Sequence, residues 1–305
     1  MAVRDRPSAE AVAPPAQDLA LLGFALIGAS IAPVLIAATT APALAVALWR
    51  NALSLPVVGG VAVARRELPR LRGRALGLAL LGGAFLGAHF AAFTPSLRYT
   101  SVASASALVC SQAIWAGILG RLLGERLPRR AWLGVAIALA GVLTVTGVDF
   151  QLSGRALTGD ALALLAGMLG GAYLVTGGFA RRALPTAAYT SACYGTSTVV
   201  LLAICLITGQ ALGGYSTDDW IQIVALTITG QLVGHTTFNL VLRSLSPTLV
   251  SLATLFTVPC AALIAGAALG QTPPVEAIPA LALLLAGTAV FISAGRANAP
   301  DATPP

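Results

Sequence analysis

Apolar residues occur along this chain in ten long runs separated by short polar segments. The runs cover residues 19–38, 43–63, 76–96, 102–120, 131–148, 160–179, 186–208, 220–242, 248–268 and 277–294. A helix needs about 20 apolar residues to cross a bilayer, and the runs lack the apolar–polar alternation of membrane barrel strands. The pattern therefore predicts an all-α polytopic membrane protein with ten transmembrane helices, numbered here as spans 1 to 10.

One segment of the sequence occurs twice. Residues 89–144 align with residues 235–290 at a constant spacing and without a gap, and the shared positions include His89/His235 and Gly141/Gly287. A duplicated unit in a chain of apolar runs is typical of transporters that are built from two related halves around a central site.

The duplication predicts two inverted five-helix repeats. The first and second repeats, a disordered cytoplasmic N-terminus and a cytoplasmic tail are predicted at 19–150, 155–295, 1–18 and 296–305. Because five is odd, the second repeat enters the membrane from the opposite face. Such an architecture opens to one side at a time by exchanging the conformations of its halves around a midplane cavity.

Charged residues are scarce and are distributed unevenly. Hydrophobic residues make up 57% of the chain and charged residues 10%, which excludes a water-soluble surface. All basic residues are arginines, and with a cytoplasmic N-terminus only Arg98 and Arg155 fall in loops on the opposite side. This asymmetry predicts an inner-membrane protein with both termini cytoplasmic. The formal charge of +7 attracts anionic membrane lipid, and nucleic acid is not an expected partner.

Polar residues inside span 8 form a candidate site. Gln231, His235 and Asn239 recur every fourth residue, with Phe238 beside them. Polar side chains at this depth need hydrogen-bond partners or water. The stripe therefore either lines a cavity or bonds to neighbouring helices.

Two histidines and one arginine within the spans need separate explanations. His89 and His235 occupy equivalent repeat positions, and each is either neutral with an interhelical hydrogen bond or a group that contacts substrate or exchanges protons. Haem ligation by the pair is a third alternative. Arg50 lies about two turns into span 2, where its side chain either reaches the headgroups or binds a substrate carboxylate.

The end of the first repeat carries a recognisable motif. It reads Leu122-Leu123-Gly124-Glu125-Arg126-Leu127, followed by Gly134 and Ala140-Gly141-Val142-Leu143. This resembles the end of the repeat domain in EamA-type members of the drug/metabolite transporter superfamily, and the resemblance covers residues 19–295. It implies ten helices in two inverted repeats, a central cavity lined chiefly by spans 1, 3, 4, 6, 8 and 9, and export of amino acids or other small metabolites. Gln271 departs from the family's glutamate, and Ala113 stands where the second repeat has Pro259.

These observations lead to a functional prediction. We expect a carrier and not an enzyme, and it needs no cofactor or metal. Its expected substrate is an amino acid or a similar metabolite, and protons are a candidate coupling ion. Gln112 and Trp115 share a predicted face of span 4, and Tyr173 adds an aromatic side chain from span 6. The candidate substrate-binding residues are Arg50, His89, Gln112, Trp115, Tyr173, Gln231, His235, Phe238 and Asn239. The alternative is a non-transporting membrane protein, either a haem-binding redox subunit or a sensor.

Overall fold

The computed structural model describes residues 15–124, 128–152 and 154–271, together with scattered positions between 275 and 290. Throughout this part of the chain the regular secondary structure is helical and no strand occurs. The all-α prediction is therefore confirmed. In chain order the α-helices are α1 (Ala16–Ala38), α2 (Ala43–Ala52), α3 (Leu55–Ala64), α4 (Gly73–Ser96), α5 (Val102–Val109), α6 (Gln112–Leu122), α7 (Arg129–Leu152), α8 (Gly154–Arg181), α9 (Thr186–Ile207), α10 (Thr217–Leu226), α11 (Thr236–Val241), α12 (Pro247–Ala253) and α13 (Thr257–Leu269).

Seven helical segments among the described residues are long and apolar enough to cross a membrane. They are Ala16–Ala38, Ala43–Ala64, Gly73–Ser96, Val102–Leu122, Gly154–Arg181, Thr186–Ile207 and Pro247–Leu269. Two more helical runs have comparable lengths, namely α7 and the continuous run over residues 217–241. Span 10 of the prediction lies mostly outside the described residues. The chain is thus a multi-pass membrane protein.

Four of the spans are interrupted, although each was predicted to be one continuous helix. Span 2 turns between α2 and α3, where Pro56 lies in the first turn of the next helix, and span 9 contains a 3₁₀ turn at Thr254–Phe256. Pro259 explains the second interruption, because its ring clashes with the carbonyl four residues earlier and it donates no hydrogen bond. Span 4 breaks between α5 and α6 without a proline, and span 8 contains a π-helix at Thr227–His235.

Two helix boundaries differ from the predicted ones. α1 begins at Ala16, inside the segment that was expected to be disordered up to residue 18. α7 ends at Leu152 and α8 begins at Gly154, so residues predicted to form a loop at 149–159 are mostly helical. No proline occurs there, and the helices therefore extend beyond the apolar runs that located them.

Large apolar side chains cover the outside of the bundle, while glycines allow close contact inside it. Phe24 is 56% exposed and Leu263 is 75% exposed, as expected for lipid-facing positions. On α8, a Cβ atom at Gly171 would lie 2.8 Å from the Gln112 carbonyl oxygen and 2.9 Å from the Ala116 amide nitrogen. The α8 backbone therefore packs directly on α6, as small residues permit in membrane helices.

The bundle has two ends with different side chains. Exposed arginines such as Arg65 and Arg70 lie at the end called here the arginine-rich end. The opposite end is called the Asp219 end, after a residue near the start of α10. It contains an aromatic cluster in which Trp49 and Trp220 have ring centroids 5.3 Å apart. Trp49 Nε1 also donates to the Leu212 carbonyl oxygen at 3.0 Å. Aromatic groups of this kind are typical of a membrane–water interface.

Candidate functional site

A cavity of about 80 Å³ lies within the bundle, where spans of both predicted repeats meet. Six of the nine candidate residues line it: Arg50, His89, Gln112, Tyr173, His235 and Phe238. Spans 1, 3, 4, 6, 8 and 9 all contribute to the wall, in agreement with the resemblance, and span 2 adds Arg50. His89 lies about 10 Å from the nearer end of α4 by the helical rise, so the cavity is well inside the membrane.

Arg50 is buried in the cavity wall and does not reach the membrane surface. The residue is 1% exposed, which excludes the alternative in which its side chain extends to the headgroups. Its Nε donates to Gln231 Oε1 at 3.1 Å, and its guanidinium carbon lies 4.0 Å from the centre of the Phe90 ring. Its Nη2 is buried without a hydrogen-bond partner. The guanidinium is therefore held in place by neutral groups with part of its donor capacity unused.

The two histidine rings lie close together in the cavity, with centroids 6.3 Å apart. Nδ1 of His89 is 2.8 Å from the Ala166 carbonyl oxygen, so this nitrogen is the donor and the other nitrogen of the neutral ring is an acceptor. Nδ1 of His235 is buried without a partner. His89 thus makes an interhelical hydrogen bond, as one of the alternatives from sequence predicted, and it also lines the cavity.

Haem ligation by this histidine pair is not favoured by the geometry. A haem needs a larger space than the present cavity, which is well below the roughly 300–1,000 Å³ typical of pockets for drug-sized ligands. The space between the rings is instead enclosed by aromatic groups, since the centroid of the His235 ring is 5.1 Å from that of Phe90 and 5.9 Å from that of Tyr173.

The polar stripe of span 8 divides between the two alternatives given for it. Only His235 of its three main residues lines the cavity, whereas Gln231 and Asn239 are fully buried and bond to neighbouring helices. Asn239 Nδ2 donates to the Tyr173 hydroxyl at 2.6 Å. Gln231 and His235 lie in the π-helix, whose last turn joins the Thr236 amide to the Gln231 carbonyl, and Asn239 lies in α11 beyond it. The Thr236 hydroxyl stabilises this turn by donating to the Gln231 carbonyl at 3.0 Å.

The interrupted parts of spans 4 and 9 meet at the cavity. Gln112, the first residue of α6, donates from Nε2 to the Thr254 hydroxyl at 2.7 Å. A Cβ atom at Gly170 on α8 would lie 2.7 Å from Gln112 Oε1 and 3.0 Å from His89 Nδ1. The absence of a side chain at Gly170 therefore keeps both polar groups accessible in one wall.

Trp115, like Gln231 and Asn239, is not among the described residues that line the cavity. It is 37% exposed, and its Cβ packs near Gly171 of α8 instead. Gln112 and Trp115 lie three residues apart in the same helix, α6, yet only Gln112 lines the cavity.

Sequence reasoning missed several residues that contribute to the site. Phe90 lines the cavity beside His89, and Thr254 bonds to Gln112. Asn51 accepts from Gln231 Nε2 at 3.2 Å. Asn51 follows Arg50 directly in the sequence, and a second polar residue inside span 2 was a signal that could have identified it.

The cavity wall can bind a small molecule with an anionic or polar group and an apolar part. Arg50 is the only arginine among its described lining residues, and none of those residues is acidic. With both histidines neutral, the wall carries one formal positive charge. Aromatic rings provide the remaining contact area, a combination typical of small-molecule sites.

Known proteins resemble this chain in sequence and in fold. The model of the EamA-like transporter family matches residues 16–147 and 157–293. Over 118 residues the chain is 28% identical to an uncharacterized transporter from Archaeoglobus fulgidus, and this stretch covers 38% of the chain and 40% of that relative. The chain thus spans about two fifths of the length of the curated relative it matches.

One solved crystal structure of a protein has the same fold across almost the whole chain. It superposes with a TM-score of 0.70 at 20% sequence identity, over 92% of this chain and 98% of the other. At this level of identity the likeness concerns the fold alone.

Proposed function

Because this chain belongs to the EamA-like transporter family, we propose that it is a carrier that exports a small metabolite across the inner membrane. An amino acid is the first candidate for the substrate. Transport follows an alternating-access mechanism around the central cavity. The proposal includes no catalytic step and no cofactor, and protons are a candidate coupling ion through His89 and His235.

Reciprocal packing between the two halves supports ten helices in two inverted repeats. α1 packs against the π-helix of span 8 and against α13, and α8, its counterpart in the second half, packs against α4 and α6. Each first-half contact thus has a second-half equivalent, as a pseudo-two-fold relation requires. The family match to two separate stretches supports the repeats at 19–150 and 155–295.

The observation that carries the proposal is the cavity between these halves. Carriers of inverted-repeat architecture bind substrate near the midplane at the repeat interface, often beside interrupted helices. Here the interruptions of spans 4, 8 and 9 all contribute residues to the cavity wall. Alternating access needs an enclosed space that movements of the two halves open first to one side of the membrane and then to the other.

The candidate residues have different roles in this proposal. Substrate contact is assigned to the six that line the cavity, and the supporting hydrogen bonds are assigned to Gln231 and Asn239. Trp115 stays a prediction from sequence with no contact to support it. An amino acid suits the wall because Arg50 is available for its carboxylate and Phe238 and Tyr173 for its side chain.

The proposed orientation places the arginine-rich end and both termini in the cytoplasm. It is supported by the excess of arginine over acidic residues in the loops of that end, since basic residues are retained on the cytoplasmic side. The same residues favour contact with anionic inner-leaflet lipid.

Counterflow in proteoliposomes tests the function. Vesicles are loaded with unlabelled members of an amino-acid panel, and uptake of the labelled compound is compared with that of protein-free vesicles. We expect at least one small amino acid to accumulate. Gly170→Ala should reduce this flux, because the new Cβ would come within 2.7 Å of Gln112 Oε1. Gly195→Ala on α9 is the matched control, since it meets nothing within 4 Å.

The outcome that would contradict the amino-acid assignment is the absence of counterflow for every panel member by folded parent protein. Equal flux in the two glycine variants would instead contradict the assignment of the cavity as the transport site.

A further inference from the structure

Arg50 is a buried cation with unused hydrogen-bond donors. Its side chain is 1% exposed, Nε is bonded to Gln231, and Nη2 has no partner. A buried charge is costly unless it is paired and hydrogen-bonded. Retention of an arginine in this state, inside a membrane span, is a sign that it has a partner during function.

The described part of the chain supplies no anion at the cavity wall for this cation. None of the described residues that line the cavity is acidic. The face of the guanidinium is covered by the Phe90 ring at 4.0 Å, which contributes attraction without neutralising the charge. Gly230 leaves room at the outer edge, because a Cβ atom there would lie 3.1 Å from Nη2. The missing counterion is therefore expected to come from the ligand.

A short chain of amide groups fixes the direction in which the guanidinium points. Asn51 Nδ2 donates to the Ala47 carbonyl at 2.9 Å, which leaves Asn51 Oδ1 to accept from Gln231 Nε2 at 3.2 Å. Gln231 must then present Oε1 to Arg50 Nε. With Nε engaged in the wall, the terminal nitrogens remain as the fork that can bind both oxygens of a carboxylate.

From these contacts we infer that Arg50 binds the carboxylate of the transported substrate, with Asn51 and Gln231 as positioning residues. The inference deepens the proposed function and rests on it. It assigns the substrate to small carboxylates with an apolar remainder, the part that Phe90 and Phe238 contact. Amino acids and simple monocarboxylates share this chemistry. A neutral isostere of the same shape lacks the charge and is rejected.

Matched ligand pairs test the charge requirement on the purified full-length protein. Propionate is compared with propionamide, and L-alanine with L-alaninamide, by calorimetric binding and by the ligand-induced rise in melting temperature. At least one carboxylate should bind about tenfold or more tightly than its amide, which is the fold-change expected for one charge-assisted hydrogen bond. Binding of propionate alone or of alanine alone identifies which of the two sources of carboxylate is preferred.

Three substitutions test the residues. Arg50→Gln should abolish the preference for carboxylate over amide, and Arg50→Lys should retain it at reduced affinity because the charge persists without the fork. Gln231→Glu places a fixed carboxylate beside Arg50 Nε and should abolish carboxylate binding while keeping the melting temperature of the parent or raising it. This last variant decides the question if Arg50→Gln does not fold. Exposed Arg243, changed to Gln, is the control and should leave binding unchanged.

Several results would overturn the inference. Equal affinity for carboxylate and amide, carboxylate binding unchanged in Gln231→Glu, or no carboxylate binding at all would each do so. Counterflow of a neutral solute by a protein that does not bind carboxylates would leave the proposed transport intact and remove this assignment alone. Carboxylate binding at Arg50 without flux of any solute would support this assignment and contradict transport.

Discussion

Replacement of Asp219 by asparagine should loosen the Asp219 end of the bundle. Four donors converge on this carboxylate: the Thr39 hydroxyl at 2.6 Å, the Thr40 amide at 2.6 Å, the Thr40 hydroxyl at 2.8 Å and the Ser216 hydroxyl at 2.8 Å. They join the turn between α1 and α2 to the start of α10, and thus one predicted repeat to the other.

The size of the effect follows from the lost acceptors. Asparagine keeps one acceptor oxygen, so about two of the four hydrogen bonds are lost and an amide N–H faces a donor. At about 1.5 kcal/mol for each bond to a charged group, the loss is about 3 kcal/mol. Asp218→Asn is the matched control, because Asp218 lies in the same helical turn and is exposed. Thermal unfolding in detergent should separate the two variants clearly.

The hydrogen bonds from Thr39 and then Thr40 hold the pKa of the Asp219 carboxyl well below its usual range. Because the folded value is the lower one, the stabilisation is complete above the unfolded pKa of about 4 and is lost only as the pH falls through the folded value. The difference between parent and Asp219→Asn should therefore be constant from about pH 5 to pH 8.

Cavity access provides a second measurement of the same change. Cys110 lines the cavity, and Cys260 is an exposed thiol that is first removed as Cys260→Ser. In that background, Asp219→Asn should increase labelling of Cys110 by a membrane-impermeant maleimide from the Asp219 end. The reasoning is refuted if the Asp219→Asn protein has the same melting temperature as the Asp218→Asn protein and its Cys110 is labelled no faster than Cys110 of the parent.

Three further predictions concern topology, proton coupling and the π-helix. In sealed cells, Arg70→Cys should resist an impermeant reagent, and modification there would overturn the orientation and the inverted repeats with it. His89→Gln or His235→Gln should flatten the pH dependence of flux in proteoliposomes, whereas unchanged profiles in both would eliminate a proton role. Thr236→Val should destabilise the protein by about 1 kcal/mol and weaken substrate binding, because the Thr236 hydroxyl donates to the Gln231 carbonyl. The control Thr198→Val loses only a bond within α9 and should bind substrate normally. Weaker binding by Thr198→Val than by Thr236→Val would contradict a role for the π-helix.

The membrane helices could be predicted from sequence because the bilayer imposes a length and an apolar composition on each of them. The interruptions could be predicted only where a proline marks them, as Pro259 does for span 9. The break before Gln112 has no such signal, and it depends on contacts with distant residues such as Thr254. Helix ends were also predicted wrongly. An apolar run marks only the part of a helix that lies in the membrane, and α8 continues beyond its apolar run.

The site could be predicted in part because buried polar groups in a membrane are costly wherever they occur. This argument identified Arg50, His89 and His235, which do share one cavity. It could not tell a residue that faces the cavity from one that supports it, because both are equally buried and equally polar. Gln231 is of the second kind, and it lies in the π-helix, for which the sequence has no simple signature.

The sequence duplication does not extend to every polar residue of the cavity. His89 and His235 are equivalent and both line the cavity, yet Gln112 corresponds to Val258 and Thr254 to Leu108 at the same spacing. The hydrogen bond between Gln112 and Thr254 therefore joins the two predicted repeats without a counterpart. In the proposed mechanism, alternating movement of the halves needs a symmetric scaffold, whereas recognition of an asymmetric substrate needs polar groups on one side only. Residues that break the repeat inside the spans are thus the first place to look for specificity in this chain.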